Sequence, residues 1–287
     1  MENKPEKQIN KPDDYFAIRH SVAEYQKNKE IVESDEPERG FDPKEQDFLT
    51  DLTPEGVKFA EQEAEKFFEG LDPEKDALFF ASSNLVRAMQ TANIYRKIAK
   101  EKGFEIIRPE KPGTKLGEKI GEGDIRVIDT LSLGLKNMLV ESIFFPDKDY
   151  LEEVVKDKKF VSEETRKKWK KARKIIENDN KGSWGANHHY HSKKIKEIFP
   201  YLKTSEDLYE QKFKNLLRLI EFADKKIKEA NLDKNIKVLG FGHENYFLHF
   251  LDKYFKEPAI GNCEVIGFRI EEDGIQATAK GESKKID

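Results

Sequence analysis

Cysteine is almost missing from this chain: Cys263 is the single one among 287 residues. One thiol forms no internal disulfide, which excludes a disulfide-stapled secreted fold and points to a reducing cytoplasm. Long apolar runs are missing too. None approaches the roughly 20 residues that span a bilayer, so no membrane association is expected. The opening "MENKPEKQINKPDD" has no apolar core of a secretory signal and reads as a flexible tail over residues 1–14. There is no basic excess either. The net charge is −4, which argues against nucleic acid as a partner.

What is present is charge. Charged residues make up 38% and hydrophobic residues 37%, a balance that gives a heavily solvated surface around a core large enough for one α/β domain. Arginine is scarce beside lysine, so an arginine next to a histidine raises a question about anions. Its planar fork matches phosphate or carboxylate in a way lysine does not.

Several stretches read as strands: "YFAIRH" (15–20), "DALFFASS" (76–83), "FEIIRP" (104–109), "IRVIDTL" (125–131) and "NIKVLGFG" (235–242). Helical stretches separate them. "LTPEGVKFAEQEAEKFFEGL" has Thr53 as N-cap and Pro54 at the first helical position. "NLVRAMQTANIYRKIAKEKG" ends at Gly103, and "HENYFLHFLDKYF" follows the strand at 235. "CEVIGFRIEEDGIQAT" reads as a hairpin around Asp273-Gly274. The alternation predicts an α/β three-layer sandwich: a mostly parallel central sheet with helices on both faces. Residues 27–50 read as a surface loop. Residues 137–229, long charged helical stretches around the loop "KGSWGANHHYHSKK", read as a helical insertion capping the sheet of a domain that runs from 15 to 287.

Three strands end in cationic or imidazole groups: "FAIRH", "LFFASSNLVRAMQTA" and "VLGFGHEN". Ligands of open α/β sheets gather beyond the carboxyl ends of the strands. If these strands are neighbours, Arg19, His20, Arg87 and His243 form a cup for a dianionic oxyanion, and phosphate fits best because each guanidinium gives it paired, charge-assisted bonds. Ser83 is expected to cap the helix carrying Arg87, whose free N–H groups add positive potential. Leu85, Met89, Ile94 and Ile98 are expected to fix Arg87 by packing.

These segments resemble the histidine phosphatase superfamily, which includes cofactor-dependent phosphoglycerate mutases. Its Arg-His-Gly motif is matched by Arg19 and His20, with Ser21 in place of glycine. Its Ser-x-x-x-Arg-Ala-x-Gln-Thr-Ala motif is matched by Ser83, Arg87, Ala88, Gln90, Thr91 and Ala92. "LTPEG" (52–56), "GFGHEN" (240–245) and "NCEVIGF" (262–268) resemble further family segments in order. The resemblance implies a phosphate monoester phosphatase. His20 is the nucleophile forming a phosphohistidine, and Arg19, Arg87 and His243 stabilise the transferring group. It implies substrate contacts at Ser21, Gln26, Ser83 and Asn245. Gln26 stands where members often carry asparagine. For the proton donor, one branch places an acid directly after the second histidine, which is Glu244 here, with Glu141 and Asp129 as alternatives.

No cofactor or metal is expected. "HHYH" (188–191) lacks the cysteines or carboxylates a metal site would add, and a loop over the phosphate crevice is the better reading. His249, among Phe247, Leu248 and Phe250, is expected in the core. The expected partner is a small phosphorylated substrate, and the sequence leaves a homodimer open. A mutase-like phosphoryl transferase and a catalytically silent phospholigand-binding protein are the alternative functions.

Overall fold

The computed structural model describes residues 13–23, 52–107, 125–128 and 205–286, with isolated helical positions between 163 and 198. Eight strands form one sheet: β1 (Tyr15–Arg19), β2 (Asp76–Ser82), β3 (Glu105–Ile106), β4 (Ile125–Val127), β5 (Asn235–Gly242), β6 (Val265–Glu271), β7 (Gly274–Ala279) and β8 (Glu282–Ile286). The order is β3-β2-β5-β1-β6-β7-β8, and β4 pairs β2 on the edge that β3 also uses. Pairs among β1 to β5 are parallel, and the β6 to β8 meander is antiparallel.

Four helices are described: α1 (Pro54–Glu69), α2 (Val86–Glu101), α3 (Ser205–Ala230) and α4 (Asn245–Phe255). Period-2 alternation of the strands divides the core between them. Ile18, Leu78, Phe80, Leu239 and Phe241 face α1 and α2, meeting Ala60, Phe68, Met89 and Tyr95. Tyr15, Ala17, Ala81 and Phe268 face α3 and α4, meeting Phe213, Leu216, Phe247 and Phe250. Phe213 stacks on Phe250 with ring centroids 4.4 Å apart. Fully burying one such ring stabilises by about 1.5–3 kcal/mol. Helices on both faces of a mostly parallel sheet are the layers expected.

Local signals explain the helix ends. Thr53 accepts the Gly56 N–H at 2.9 Å, with Pro54 opening α1 as predicted. Past the α2 C-cap Lys102, Gly103 takes φ +85, a conformation that suits glycine.

Four expectations need correction. The helix α3 was assigned to a cap, yet Tyr209, Phe213, Leu216 and Ile220 bury against the sheet, so it belongs to the outer layer of the fold. Asp13 and Asp14 are not tail: Asp14 bonds Phe268 and Val238 through its backbone, and its carboxylate meets buried Lys237 at 2.6 Å. The last strand, β8, was not foreseen, because "ESKKI" is polar on an edge that needs no apolar partner. His249 is half-buried rather than in the core, with Nε2 3.9 Å from the Glu210 carboxylate of α3. The loop 27–50, the rest of the expected insertion apart from those isolated helical positions, and the 188–191 histidines lie outside the described residues.

Candidate active site

Parallel register puts the ends of β1, β5 and β2 side by side. Arg19 pairs with Gly242, and Ser82 with Phe241. The residues that follow, His20, His243 and Ser83, therefore emerge at one edge of the sheet. The backbone tightens this: His20 N–H donates to Gly242 O at 2.9 Å, and Ser83 N–H donates to Phe241 O at 2.9 Å. Adjacent parallel strands thus bring together motifs more than 200 residues apart in the chain.

The four side chains expected to converge do so. Arg87 Nε donates to His20 Nε2 at 3.3 Å. The rings of His20 and His243 have centroids 5.1 Å apart. Arg19 lies beside them and pairs with Glu244 Oε2 at 2.8 Å, while its Nη1 also donates to Ile260 O. His20, Arg87, His243 and Glu244 are all buried. The Ser83 hydroxyl meets His243 Nε2 at 2.9 Å.

Each ring nitrogen of His20 has a role set by its neighbour. Nδ1 lies 2.7 Å from Ser21 O, and a carbonyl only accepts, so Nδ1 carries the proton. Nε2 then has a lone pair, directed at the Arg87 guanidinium. Burial first, and the Arg87 charge second, hold the His20 pKa well below the ordinary imidazole value of 6.5. His243 is lowered in the same way, by burial and then by Arg87 and His20, with smaller effects from Lys212 and Arg19. Both rings are neutral at neutral pH. A neutral, oriented imidazole beside two guanidiniums has a lone pair that can attack an electrophile held where an anion would be favoured.

The helix motif works as a set of braces. Thr91 Oγ1 donates to Arg87 O at 2.8 Å and accepts the Ser21 N–H at 3.0 Å, tying the strand exit to the turn that carries Arg87. Gln90 Oε1 accepts the Leu52 N–H at 2.8 Å, linking α2 to the entry of α1. Ala88 and Ala92 are fully buried, where a larger side chain would hold the helix off the sheet. Leu85, Met89 and Ile98 are buried, the latter two in the core between α2 and the sheet, with Ile94 packed against the same cluster.

Two site expectations change. Ser83 does not cap α2: the N-cap is Leu85, with no side-chain cap, and Ser83 Oγ accepts the Leu85 N–H at 3.2 Å. Ser21 does not present its hydroxyl to the cup. It is fully buried and donates to Gly56 O at 2.7 Å. Gln26, Asp129, Glu141 and the Asn245 side chain lie outside the described residues. Lys212 of α3 was not anticipated near His243, whose pKa its charge helps to lower; nothing in a lysine-rich helix distinguishes it from its neighbours.

Among the described residues no group of three or more His, Cys, Asp or Glu stands together as a metal site, and no helix is long and apolar enough to cross a membrane. A cavity of about 560 Å³ lies elsewhere, under α3, lined by apolar side chains such as Phe79, Ile128, Leu216 and Val238. None of the four converging side chains lines it.

No protein-family model matches the chain, and no curated protein matches it in sequence. Solved structures do. A mutant phosphoserine phosphatase from Entamoeba histolytica, in complex with phosphoserine, is 15% identical, with 92% of this chain and 94% of that chain covered and a TM-score of 0.36. A phosphoglycerate mutase from Plasmodium falciparum is 14% identical, covering 94% and 95%, with a TM-score of 0.30. A mycobacterial glucosyl-3-phosphoglycerate phosphatase is 14% identical, covering 90% of each chain, with a TM-score of 0.29. With TM-scores this low, the functional reading stands on the site's own geometry.

Proposed function

We propose that this chain is a metal-independent phosphohydrolase that cleaves phosphate monoesters through a phosphohistidine on His20. The observation that carries the reading is the state of that ring: buried, neutral, with Nδ1–H held by Ser21 O and Nε2 facing Arg87. A dianionic phosphoryl group entering the cup takes the place opposite Nε2, with Arg19 and Arg87 on its oxygens.

The steps follow from that placement. The Nε2 lone pair attacks phosphorus, an N–P bond forms, and the ester P–O bond breaks. Charge on the equatorial oxygens is met by Arg19, Arg87 and His243, fixed in place before the reaction. The departing alkoxide takes a proton from Glu244, which leaves its pair with Arg19 when that guanidinium turns to the phosphoryl oxygens and takes up a proton from solvent before the ester bond breaks. Water then attacks phosphorus, gives its proton to Glu244, and the N–P bond breaks to release phosphate and neutral His20. The guanidiniums supply the positive charge a metal would bring elsewhere, and a cation would be repelled by them.

The test is a panel of phosphorylated metabolites, sugars, nucleotides and phosphopeptides, assayed with chelator present. Turnover that disappears in purified His20→Ala supports the reading. Hydrolysis surviving in His20→Ala overturns the mechanism, phosphate binding without turnover points to a silent binding protein, and transfer to a second acceptor points to a mutase.

A further inference from the structure

Ser21 occupies the position that is glycine in the motif the chain resembles, and it bonds to two surrounding helices and to the His20 ring beside it. Its hydroxyl donates to Gly56 O in the first turn of α1 at 2.7 Å. Its amide donates to Thr91 Oγ1 on α2 at 3.0 Å. Its carbonyl accepts Nδ1–H of His20 at 2.7 Å. The residue is fully buried. Its backbone is not among those with positive φ, so glycine's freedom is not needed here.

The next residues are held by the same helix entry. Thr53 N–H donates to Val22 O at 3.1 Å, and Ala23 bridges Leu52. A Cβ at Gly56 would come within 2.1 Å of Val22 O, so only glycine lets the two segments approach this closely. The peptide joining Ser21 to Val22, whose carbonyl faces the His20 ring, thus lies between two anchors on the entry of α1: the Ser21 hydroxyl on Gly56 O before it, and the next carbonyl, Val22 O, on Thr53 N–H after it.

We propose that Ser21 is a positioning residue for His20: its hydroxyl docks the end of β1 on the start of α1 and so holds carbonyl 21 against Nδ1, keeping Nε2 aimed at the phosphoryl site. A glycine at this position has no such bond. The inference rests on the phosphohistidine reading for its catalytic consequence, but the docking itself is measurable without turnover.

The test compares wild type with Ser21→Ala, and with Ser21→Gly as a second variant that removes the same hydroxyl without adding volume. Two quantities are read. The first is kcat and KM for a phosphate monoester that the wild type hydrolyses. The second is the rate at which the His20 Nδ1 proton exchanges with water, followed by NMR on histidine-labelled protein and assigned by its loss in His20→Asn. Both variants are expected to lose about tenfold in kcat with KM within about twofold, because a misaimed nucleophile lowers the rate rather than substrate binding. The ring proton is expected to exchange about tenfold faster. Wild-type kcat and unchanged proton exchange in both variants would overturn the proposal while leaving the phosphatase reading intact. A wild type inactive on every ester, but whose ring proton is protected only when the Ser21 hydroxyl is present, would remove the reaction and leave the positioning standing.

Discussion

Lowering the pH from 6.5 to 5 tests the two buried imidazoles through stability alone, without any substrate. His20 and His243 are held neutral in the fold, their pKa values well below 6.5, chiefly by burial and then by Arg87. In the unfolded chain both titrate near 6.5 and take up protons as the pH falls. The unfolded state then binds more protons than the native one, so stability drops with falling pH until the native pKa values are reached. Each histidine contributes a slope of about 1.4 kcal/mol per pH unit. Each ring is only half titrated in the unfolded chain at pH 6.5, so the slope builds up to that value over the interval, and the pair removes at most about 3 kcal/mol by pH 5, a large part of the roughly 5–15 kcal/mol that holds a domain folded. Denaturant unfolding followed by circular dichroism at pH 6.5, 6.0, 5.5 and 5.0 measures the slope. His20→Asn and His243→Asn should each remove about half of it, whatever their own stability cost. Equal slopes in wild type and both variants would show that the rings are not buried and neutral as described.

Other outcomes follow from single contacts. Gly56→Ala places a methyl within 2.1 Å of Val22 O, and because that atom is backbone the strand exit must shift. A cost of about 1–3 kcal/mol in thermal unfolding is expected, with reduced turnover. Arg87→Lys keeps the charge but loses the fork and the bond to His20 Nε2, so kcat/KM should fall about 10²-fold or more. Glu244→Gln removes the expected proton donor and the ion pair to Arg19. It should slow alkyl phosphates about 10²–10⁴-fold and p-nitrophenyl phosphate, whose leaving group needs no proton, far less. Equal losses on both substrates would rule out the donor role. Phe250→Ala, in the stack with Phe213, should cost about 3–5 kcal/mol in denaturant unfolding.

The sequence made the site legible because the chemistry sits at strand ends. "FAIRH", "LFFASS" and "VLGFGH" each pair an apolar run with a polar exit, and parallel register does the rest. What it could not show is direction. Ser21 read as a phosphate contact because a small polar residue beside the expected nucleophile suits that role. Only the three-dimensional approach of Gly56, 35 residues later, reveals which way its hydroxyl turns. Ser83 misled for a related reason: the chain turns helical two residues later than a capping serine requires, and the side chain meets His243 instead. The helix α3 looked like part of a cap because its charged residues dominate, although Tyr209, Phe213, Leu216 and Ile220 already give the spacing of one buried face. The strand β8 carried no signal, since edge strands with lysines look like loops.

The phosphoryl–enzyme link is the most direct test of all. Enzyme mixed with a ³²P-labelled phosphate monoester and quenched within one turnover should carry label that survives alkali, is lost in mild acid, and maps to the peptide containing His20. The same label should be absent from His20→Asn. Hydrolysis by the wild type with no trapped label, or label on any other residue, would contradict the account.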